Sequence, residues 1–144
     1  MLYLGADHNG YFLKERLKLF LDHARIQWQD MGAFKRQKSD DYVDFAVLVG
    51  KAVKKGGMGL LVCGSGHGMV IAANKISGVR AIMPLSARSA RDGRHDDHAN
   101  VLVLAGWEVP EASAKKIVAA FIKQKPGKSP RYLRRLKKVR KLEA

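Results

Sequence analysis

A single cysteine is the residue of this sequence best placed to do chemistry. Cys63 follows the apolar run 58–62 and opens a glycine-rich segment, 64–68, in front of the helix-like run 69–75. The glycines let the backbone approach a ligand closely, and unpaired N–H groups at the start of a helix attract anions. The same positive field lowers the pKa of a thiol, so we expect Cys63 to ionise near neutral pH. The segment therefore predicts a reactive thiol beside an anion-binding turn.

The elements that position this thiol follow a repeated pattern. Five short apolar runs are each followed by a segment with helical or polar spacing: residues 2–4, 26–28, 60–62, 79–83 and 101–104. Parallel strands require crossover connections and read as continuous apolar runs. The pattern predicts an α/β fold in which helices cover both faces of a parallel sheet.

Polar residues follow several of these predicted strands. Asp7 and His8 come after the first run and Cys63 after the third, while residues 95–100 precede the fifth. Ligands of open parallel sheets bind beyond the carboxyl ends of the strands, where the strand order reverses. We expect all of these residues to converge at that edge.

Length and composition limit the class of protein. With 144 residues, 47% of them hydrophobic, the chain is expected to form one domain over residues 1–144. A lone cysteine excludes an intramolecular disulfide, and no apolar run approaches the length of a membrane span. We expect a cytoplasmic protein that does not contact the membrane.

The basic charge is concentrated at the end of the chain. Residues 123–144 hold ten of the 27 lysines and arginines but one of the 13 acidic residues. Apolar residues recur at about one-turn spacing over residues 129–142, which predicts an amphipathic helix that covers a partner subunit. A polyanion such as nucleic acid is a weaker alternative, because Tyr132 is the one aromatic residue available there for stacking.

Several motifs resemble the family of ribose-5-phosphate isomerase B and the galactose-6-phosphate isomerase subunits. The resemblance covers nearly the whole chain, and its most specific part is the cysteine loop. The matching segments are 5–10, 63–66, 71–75, 78–81 and 99–102, together with Arg131 and Arg135.

The resemblance implies a three-layer α/β/α sandwich with a Rossmann-like, five-stranded parallel sheet and an extra C-terminal helix. It also implies a homodimer or tetramer whose subunits share the active site. The implied activity interconverts an aldose phosphate and a ketose phosphate without cofactor or metal, most simply ribose 5-phosphate and ribulose 5-phosphate. Another substrate, such as a hexose 6-phosphate, and a non-catalytic polyanion-binding relative remain open.

The chemistry requires one base that moves a proton between adjacent carbons and donors that stabilise an enediolate. Cys63 is expected to be the base, with Ser65 and backbone N–H groups as donors. In the family, the residues matched by Asp7 and His8 contact sugar hydroxyls and phosphate, and those matched by Arg131 and Arg135 bind the phosphate. The remaining residues predicted to bind substrate are Tyr42, Gly64, Gly66, His67, Gly68 and Asp97.

The sequence departs from the family at the group expected to open the sugar ring. Ungapped alignment places Asp96 where the family has a histidine and Asp97 where it has an asparagine. His95 and His98 flank this position, so ring opening is assigned to Asp96 or His95, with His98 a further alternative. Trp107 replaces an arginine of the family, which leaves sugar preference open.

Overall fold

Strands and helices alternate along the chain, and the computed structural model describes residues 1–143. The strands are β1 Leu2–Ala6, β2 Trp28–Asp30, β3 Met58–Cys63, β4 Ala81–Ile82 and β5 Val101–Ala105. The helices are α1 Tyr11–His23, α2 Tyr42–Lys54, α3 His67–Asn74, α4 Ala87–Asp96, α5 Glu111–Lys123 and α6 Pro130–Arg140, and α6 continues into a 3-10 turn over Lys141–Glu143.

The strands form one parallel sheet in the order β2-β1-β3-β5-β4. The connection from β1 leads to β2 at one edge of the sheet, whereas the connection from β3 leads past β5 to β4 at the other edge. The switch point therefore lies between β1 and β3, and a crevice opens there beyond the carboxyl ends of the strands. Cys63 is the last residue of β3 and lies at this crevice.

Two apolar layers hold the helices on the sheet, because successive strand residues point to opposite faces. Leu60 and Val62 pack with α1, α4 and α5, whereas Leu61 and Cys63 pack with α2 and α3. Both layers contain side chains that are fully buried. The predicted α/β/α sandwich with a five-stranded parallel sheet is confirmed.

The second and fourth strands do not occupy the residues that the sequence predicts. The second was expected over residues 26–28 and is observed over Trp28–Asp30, because the backbone N–H of Ile26 still bonds to the end of α1 at Leu21. The fourth was expected over residues 79–83 and is observed over Ala81–Ile82. Val79 instead closes a turn by donating to Ile76, so apolar composition extended the prediction beyond the paired residues.

The basic C-terminal helix was expected over about residues 129–142, and α6 occupies most of that range. Its buried apolar residue is Leu136, while Leu133 and Val139 stay about half exposed. The single domain over 1–144 stays a prediction, and its last residue, Ala144, lies outside the described residues. Within residues 1–143, every helix is too short or too polar to cross a membrane.

Candidate active site

The loops after β1, β3 and β5 meet around Cys63. The N–H of Gly106 donates to the carbonyl of Cys63 over 2.6 Å, and the N–H of Asp7 donates to the carbonyl of Val62 over 3.3 Å. A Cβ atom on Gly10 would overlap that same Val62 carbonyl. Backbone groups of three strand ends therefore fix the position of the cysteine.

The thiol of Cys63 is buried, with 4% of the residue exposed. Burial raises the pKa of Cys63, and the charge of Asp7 raises it further, whereas the backbone N–H groups of Met69 and Gly66 lower it. The pKa of Cys63 is therefore shifted upward, opposite to the direction that the sequence predicted. The start of α3 does supply N–H donors, but the loss of water outweighs them.

Each close glycine of the loop has a neighbour that excludes a side chain. Gly66 has φ +82°, and a Cβ there would overlap the sulfur of Met83. A Cβ on Gly64 would lie 2.5 Å from the ring of Trp107, and one on Gly68 would overlap the ring of Tyr42. The structure thus places predicted Tyr42 against the loop, and Trp107 borders it from the other side.

Two further residues of the loop face solvent rather than the core. His67 is exposed and Ser65 is partly buried. Both line a cavity of about 470 Å³ that also contacts Met83 and Leu85 beyond the ends of β3 and β5. Ser65 and His67 are therefore accessible at the carboxyl edge, next to the buried thiol.

The Asp7 carboxylate lies in the turn between β1 and α1. Its Oδ1 accepts hydrogen bonds from the N–H groups of Asn9 and Gly10, both over 3.0 Å. Burial raises the pKa of Asp7, against these two backbone bonds and the neighbouring His8, which lower it. Because the backbone N–H of Asp7 donates to the carbonyl of Val62, next to Cys63, the two residues belong to one site.

His8 has a partner that the sequence did not indicate. Its Nδ1 lies 2.7 Å from Oδ1 of Asp40, and its backbone N–H donates to the same oxygen over 3.0 Å. Ligand-type atoms of Asp7, His8 and Asp40 lie within 4.8 Å of one another. Thirty-two residues separate His8 from Asp40, so no motif or spacing could reveal the contact.

The segment 95–98 lies at the opposite edge of the sheet. The carbonyl of Asn100 accepts a hydrogen bond from the N–H of Gly59, next to the first residue of β3. Four strand residues, or about 13 Å, separate Gly59 from Cys63. The expectation that residues 95–100 converge with Cys63 within one chain is wrong, because α4 runs back across the sheet and ends at its amino edge.

The two histidines of this segment hold the linker that leads to α6. His95 pairs with Asp96 at 2.7 Å and packs its ring edge-on against Tyr132. His98 Nε2 lies 2.7 Å from the carbonyl of Gly127. His98 is thus engaged by the linker rather than free to meet a ligand.

Asp96 and Asp97 line a cavity of about 610 Å³ with Arg135. This cavity lies between the end of α4, β4 and α6. Arg131 is exposed, and its guanidinium lies 5.3 Å from the ring of Tyr132. The two predicted phosphate-binding arginines therefore accompany the 95–98 segment and not the thiol of their own chain.

The predicted residues fall into two groups at opposite edges of the sheet. We call Asp7, His8, Tyr42, Cys63 and residues 64–68 the thiol half-site. We call residues 95–98, Arg131 and Arg135 the arginine half-site. Fold and site together define a doubly wound α/β protein with a buried thiol at its switch-point crevice and a basic surface at the far edge.

Comparisons with known proteins identify the family. The pattern of the ribose/galactose isomerase family matches residues 2–139. The probable ribose-5-phosphate isomerase B of Mycoplasma genitalium is 36% identical over 99% of this chain and 95% of its own length. The chain belongs to the ribose/galactose isomerase family, and the predicted enzyme class, an isomerase, is confirmed.

Solved structures agree closely with this fold. The M. genitalium ribose-5-phosphate isomerase B, solved with bound ribulose-5-phosphate, has a TM-score of 0.94 at 36% identity and covers 99% of this chain and 95% of its own. The Thermotoga maritima ribose 5-phosphate isomerase has a TM-score of 0.91 at 34% identity, with 97% of both chains covered. These similarities extend over the thiol half-site and α6 alike.

Proposed function

We propose that this protein interconverts ribose 5-phosphate and ribulose 5-phosphate. The observation that carries the proposal is the Cys63 thiol, buried at the switch-point crevice of a chain whose M. genitalium relative was solved with ribulose-5-phosphate. The reaction moves one hydrogen between two adjacent carbons. It therefore requires a single proton-transferring group and donors for the oxygen that becomes negative.

In the proposed mechanism, Cys63 acts as a thiolate on the open-chain sugar. It removes the proton from C2, and the electrons of that C–H bond form the double bond of an enediolate. The N–H groups of residues 64–68 and the hydroxyl of Ser65 donate hydrogen bonds to the enediolate oxygens. Cys63 then returns the proton to C1, while the hydroxyl proton moves from O2 to O1, so the ketose forms without net loss of a proton.

The thiol needs help to ionise, because burial raises the pKa of Cys63 in the single chain. Positive charge near the sulfur favours the thiolate. The arginine half-site of a second copy is suited to supply that charge, since ten basic residues lie between positions 123 and 144. Substrate binding would then assemble the base and the phosphate site together.

Ring opening requires one group that gives a proton to the ring oxygen and one that accepts the proton of the O1 hydroxyl. We assign this step to Asp96 and His95, whose carboxylate and Nδ1 are 2.7 Å apart. A proton can pass across this short hydrogen bond, so the pair can serve in both directions. Asp97, exposed at the end of α4, is assigned to substrate binding.

We further propose a homodimer in which each active site combines the thiol half-site of one protomer with the arginine half-site of its partner. The separation of the two groups across the sheet supports this, because Cys63 and Asn100 lie at opposite ends of β3. The exposed apolar residues Leu133 and Val139 of α6 supply apolar surface for the contact. A tetramer would retain the same shared sites.

The test is an assay of the purified protein on ribose 5-phosphate, with ribulose 5-phosphate as the measured product. Cys63→Ala should lower kcat by about a thousandfold, the scale of a lost general base. Cys63→Ser controls for cavity formation, because serine keeps a small polar group but is a far weaker base. Wild-type activity that survives in Cys63→Ala would contradict the base assignment.

The substrate arm uses galactose 6-phosphate and other hexose 6-phosphates at matched concentrations. A higher kcat/KM for a hexose 6-phosphate than for ribose 5-phosphate would make the hexose phosphate the proposed substrate. Trp107, at the loop, would then be the first residue to substitute. Inactivity on every sugar phosphate, combined with salt-sensitive binding of nucleic acid, would favour the polyanion-binding alternative. The cytoplasmic location expected from the sequence stays a prediction.

A further inference from the structure

We propose that Asp40 is a positioning residue of the thiol half-site that fixes the orientation and tautomer of His8. One carboxylate oxygen, Oδ1, accepts the backbone N–H of His8 over 3.0 Å and lies 2.7 Å from Nδ1 of its ring. A single oxygen that binds main chain and ring of the same residue leaves the imidazole little freedom to turn. The inference deepens the proposed function, on which its kinetic test rests.

The Asp40 carboxylate that contacts His8 is largely buried. The side chain of Asp40 is 10% exposed, and its second oxygen, Oδ2, is buried with no hydrogen-bond partner in the part of the chain that the structure describes. Among residues 1–143, the hydrogen-bond partner of the Asp40 carboxylate is thus His8. Burying a carboxylate oxygen without a hydrogen-bond partner costs free energy of folding. We therefore attribute the position of Asp40 to its two contacts with His8.

The loop that carries Asp40 is tied to His8 at a second point. Nε of Arg36 donates to the backbone carbonyl of His8 over 3.2 Å, so the loop holds both backbone polar groups of this residue. The N–H of Asp40 donates to the carbonyl of Gln37, which closes a turn just before α2. Two residues later, Tyr42 packs on the glycine loop, so one segment positions two members of the thiol half-site.

The chemical consequence concerns the other ring nitrogen. A carboxylate on Nδ1 holds a proton there and leaves Nε2 to meet a ligand. The described residues contain no hydrogen-bond partner for Nε2, and His8 is partly exposed. Asp40 thereby presents Nε2 of His8 toward the phosphorylated substrate in one orientation and one tautomer.

The experiment compares three variants with wild type. Asp40→Ala removes the acceptor, and Asp40→Asn keeps an oxygen that can accept both bonds but removes the charge. Asp44→Asn removes one acidic charge from an exposed position in the first turn of α2, where the described structure shows no side-chain hydrogen bond or ion pair, and it serves as the matched control. Thermal melting checks that each variant folds.

The first readout is the tautomer of His8, measured by long-range proton–nitrogen NMR. Wild type and Asp44→Asn should show His8 protonated at Nδ1. Asp40→Ala should shift His8 toward the Nε2-protonated tautomer, and Asp40→Asn should retain most of the wild-type signal. Inorganic phosphate, used as the probe, should perturb the His8 resonances of wild type at lower concentration than those of Asp40→Ala.

The second readout is the split between KM and kcat on ribose 5-phosphate. Asp40→Ala should raise KM about tenfold and change kcat less than about threefold, because orientation of a binding group is lost and the base is intact. Asp40→Asn should recover most of that KM. A merely structural role would lower the melting temperature without this pattern of rescue.

Three results would overturn the proposal: an unchanged His8 tautomer in Asp40→Ala, an unchanged KM in that variant, or zinc-dependent activity that EDTA removes and Asp40→Ala abolishes. The last result would make the group a metal site instead. If wild type does not isomerise ribose 5-phosphate, the proposed function fails, whereas the NMR measurement still decides whether Asp40 positions His8.

Discussion

The two half-sites are built from different materials. The thiol half-site consists of short side chains at strand ends, and backbone bonds such as Gly106 N–H to the Cys63 carbonyl hold it in place. The arginine half-site consists of long side chains on an outer helix, where Arg131 and Arg135 are exposed. Its anchors are weaker, with His95 packed against Tyr132 and His98 bonded to the linker at Gly127.

The thiol half-site is the more preorganised of the two. Buried backbone contacts leave Cys63 a single position before any ligand arrives, which favours accurate proton transfer. Exposed arginines keep their rotamer freedom until an anion or a second protomer orders them. We expect the position of Cys63 to be set within each protomer, whereas the proposed dimer would add the phosphate contact, the charge that ionises the thiol and the ring-opening pair.

The largest expected effect comes from mixing two inactive variants. Cys63→Ala breaks the thiol half-site, and the double variant Arg131→Ala/Arg135→Ala breaks the arginine half-site. In a mixed dimer with shared sites, one of the two sites is intact, so random exchange should restore about a quarter of wild-type activity. Activity is measured before and after subunit exchange at low denaturant.

The control for this mixing experiment is each variant exchanged with itself, which should stay inactive. If the mixture also stays inactive although mass spectrometry shows hybrid dimers, the two half-sites do not combine across protomers. The proposal of an active site shared between two protomers would then be wrong.

A smaller effect is expected when a single arginine is removed. Arg135→Ala should raise KM for ribose 5-phosphate about thirtyfold with a minor change in kcat, because one charge-assisted hydrogen bond to the phosphate is lost. Arg134→Ala removes a neighbouring exposed charge and is the matched control. Equal KM changes in both variants would mean that α6 acts through general charge rather than through a defined phosphate contact.

Glycine substitutions test the rigidity of the two halves. Gly10→Ala should destabilise the fold by about 2–3 kcal/mol, because its Cβ would overlap the backbone carbonyl of Val62, which cannot move aside. A Cβ on Gly127 would lie 2.8 Å from the His95 ring and 3.0 Å from the His95 carbonyl. Gly127→Ala should cost less, about 1 kcal/mol, since the partly exposed ring can turn away and the carbonyl contact requires only a small shift. Urea unfolding measures the change in the free energy of unfolding for both variants. A larger loss for Gly127→Ala than for Gly10→Ala would show that the arginine half-site is the more rigid of the two.

The smallest effect concerns the reactivity of the thiol in the absence of substrate. Burial raises the pKa of Cys63, so at a given pH the protein holds less thiolate than free cysteine. Alkylation by iodoacetamide should therefore be slower than that of free cysteine at pH 7.5, and its rate should rise through a midpoint at higher pH. A midpoint below that of free cysteine would show that the N–H groups of Gly66 and Met69 outweigh burial.

Much of the fold could be predicted because its signals are local. Five apolar runs separated by helical spacing indicated the parallel sheet, and the glycine loop after 58–62 placed Cys63 at a strand end. The thiol pKa was predicted in the wrong direction because the motif shows the N–H donors of a helix start but not the loss of water around the sulfur. The burial that raises the pKa comes from packing against α2 and α3.

The placement of residues 95–98 also required the fold. In the sequence, residues 95–98 stand shortly before β5, as the matching site residues of the family do. Only the direction of α4 shows that they lie at the amino edge of the sheet. The Asp40 contact with His8 left no trace in the sequence, because 32 residues separate the partners and an acidic residue in a polar loop is ordinary.

The sequence by itself determined the family and the α/β architecture and pointed to Cys63 as the candidate reactive residue, since each depends on periodicity or on residues adjacent along the chain. The tertiary structure decided that the predicted site residues are divided between two edges of the sheet, that burial raises the pKa of the Cys63 thiol, and that Asp40 contacts His8. The physical reason is that burial, electrostatic environment and contacts across dozens of residues exist only once helices and strands have packed.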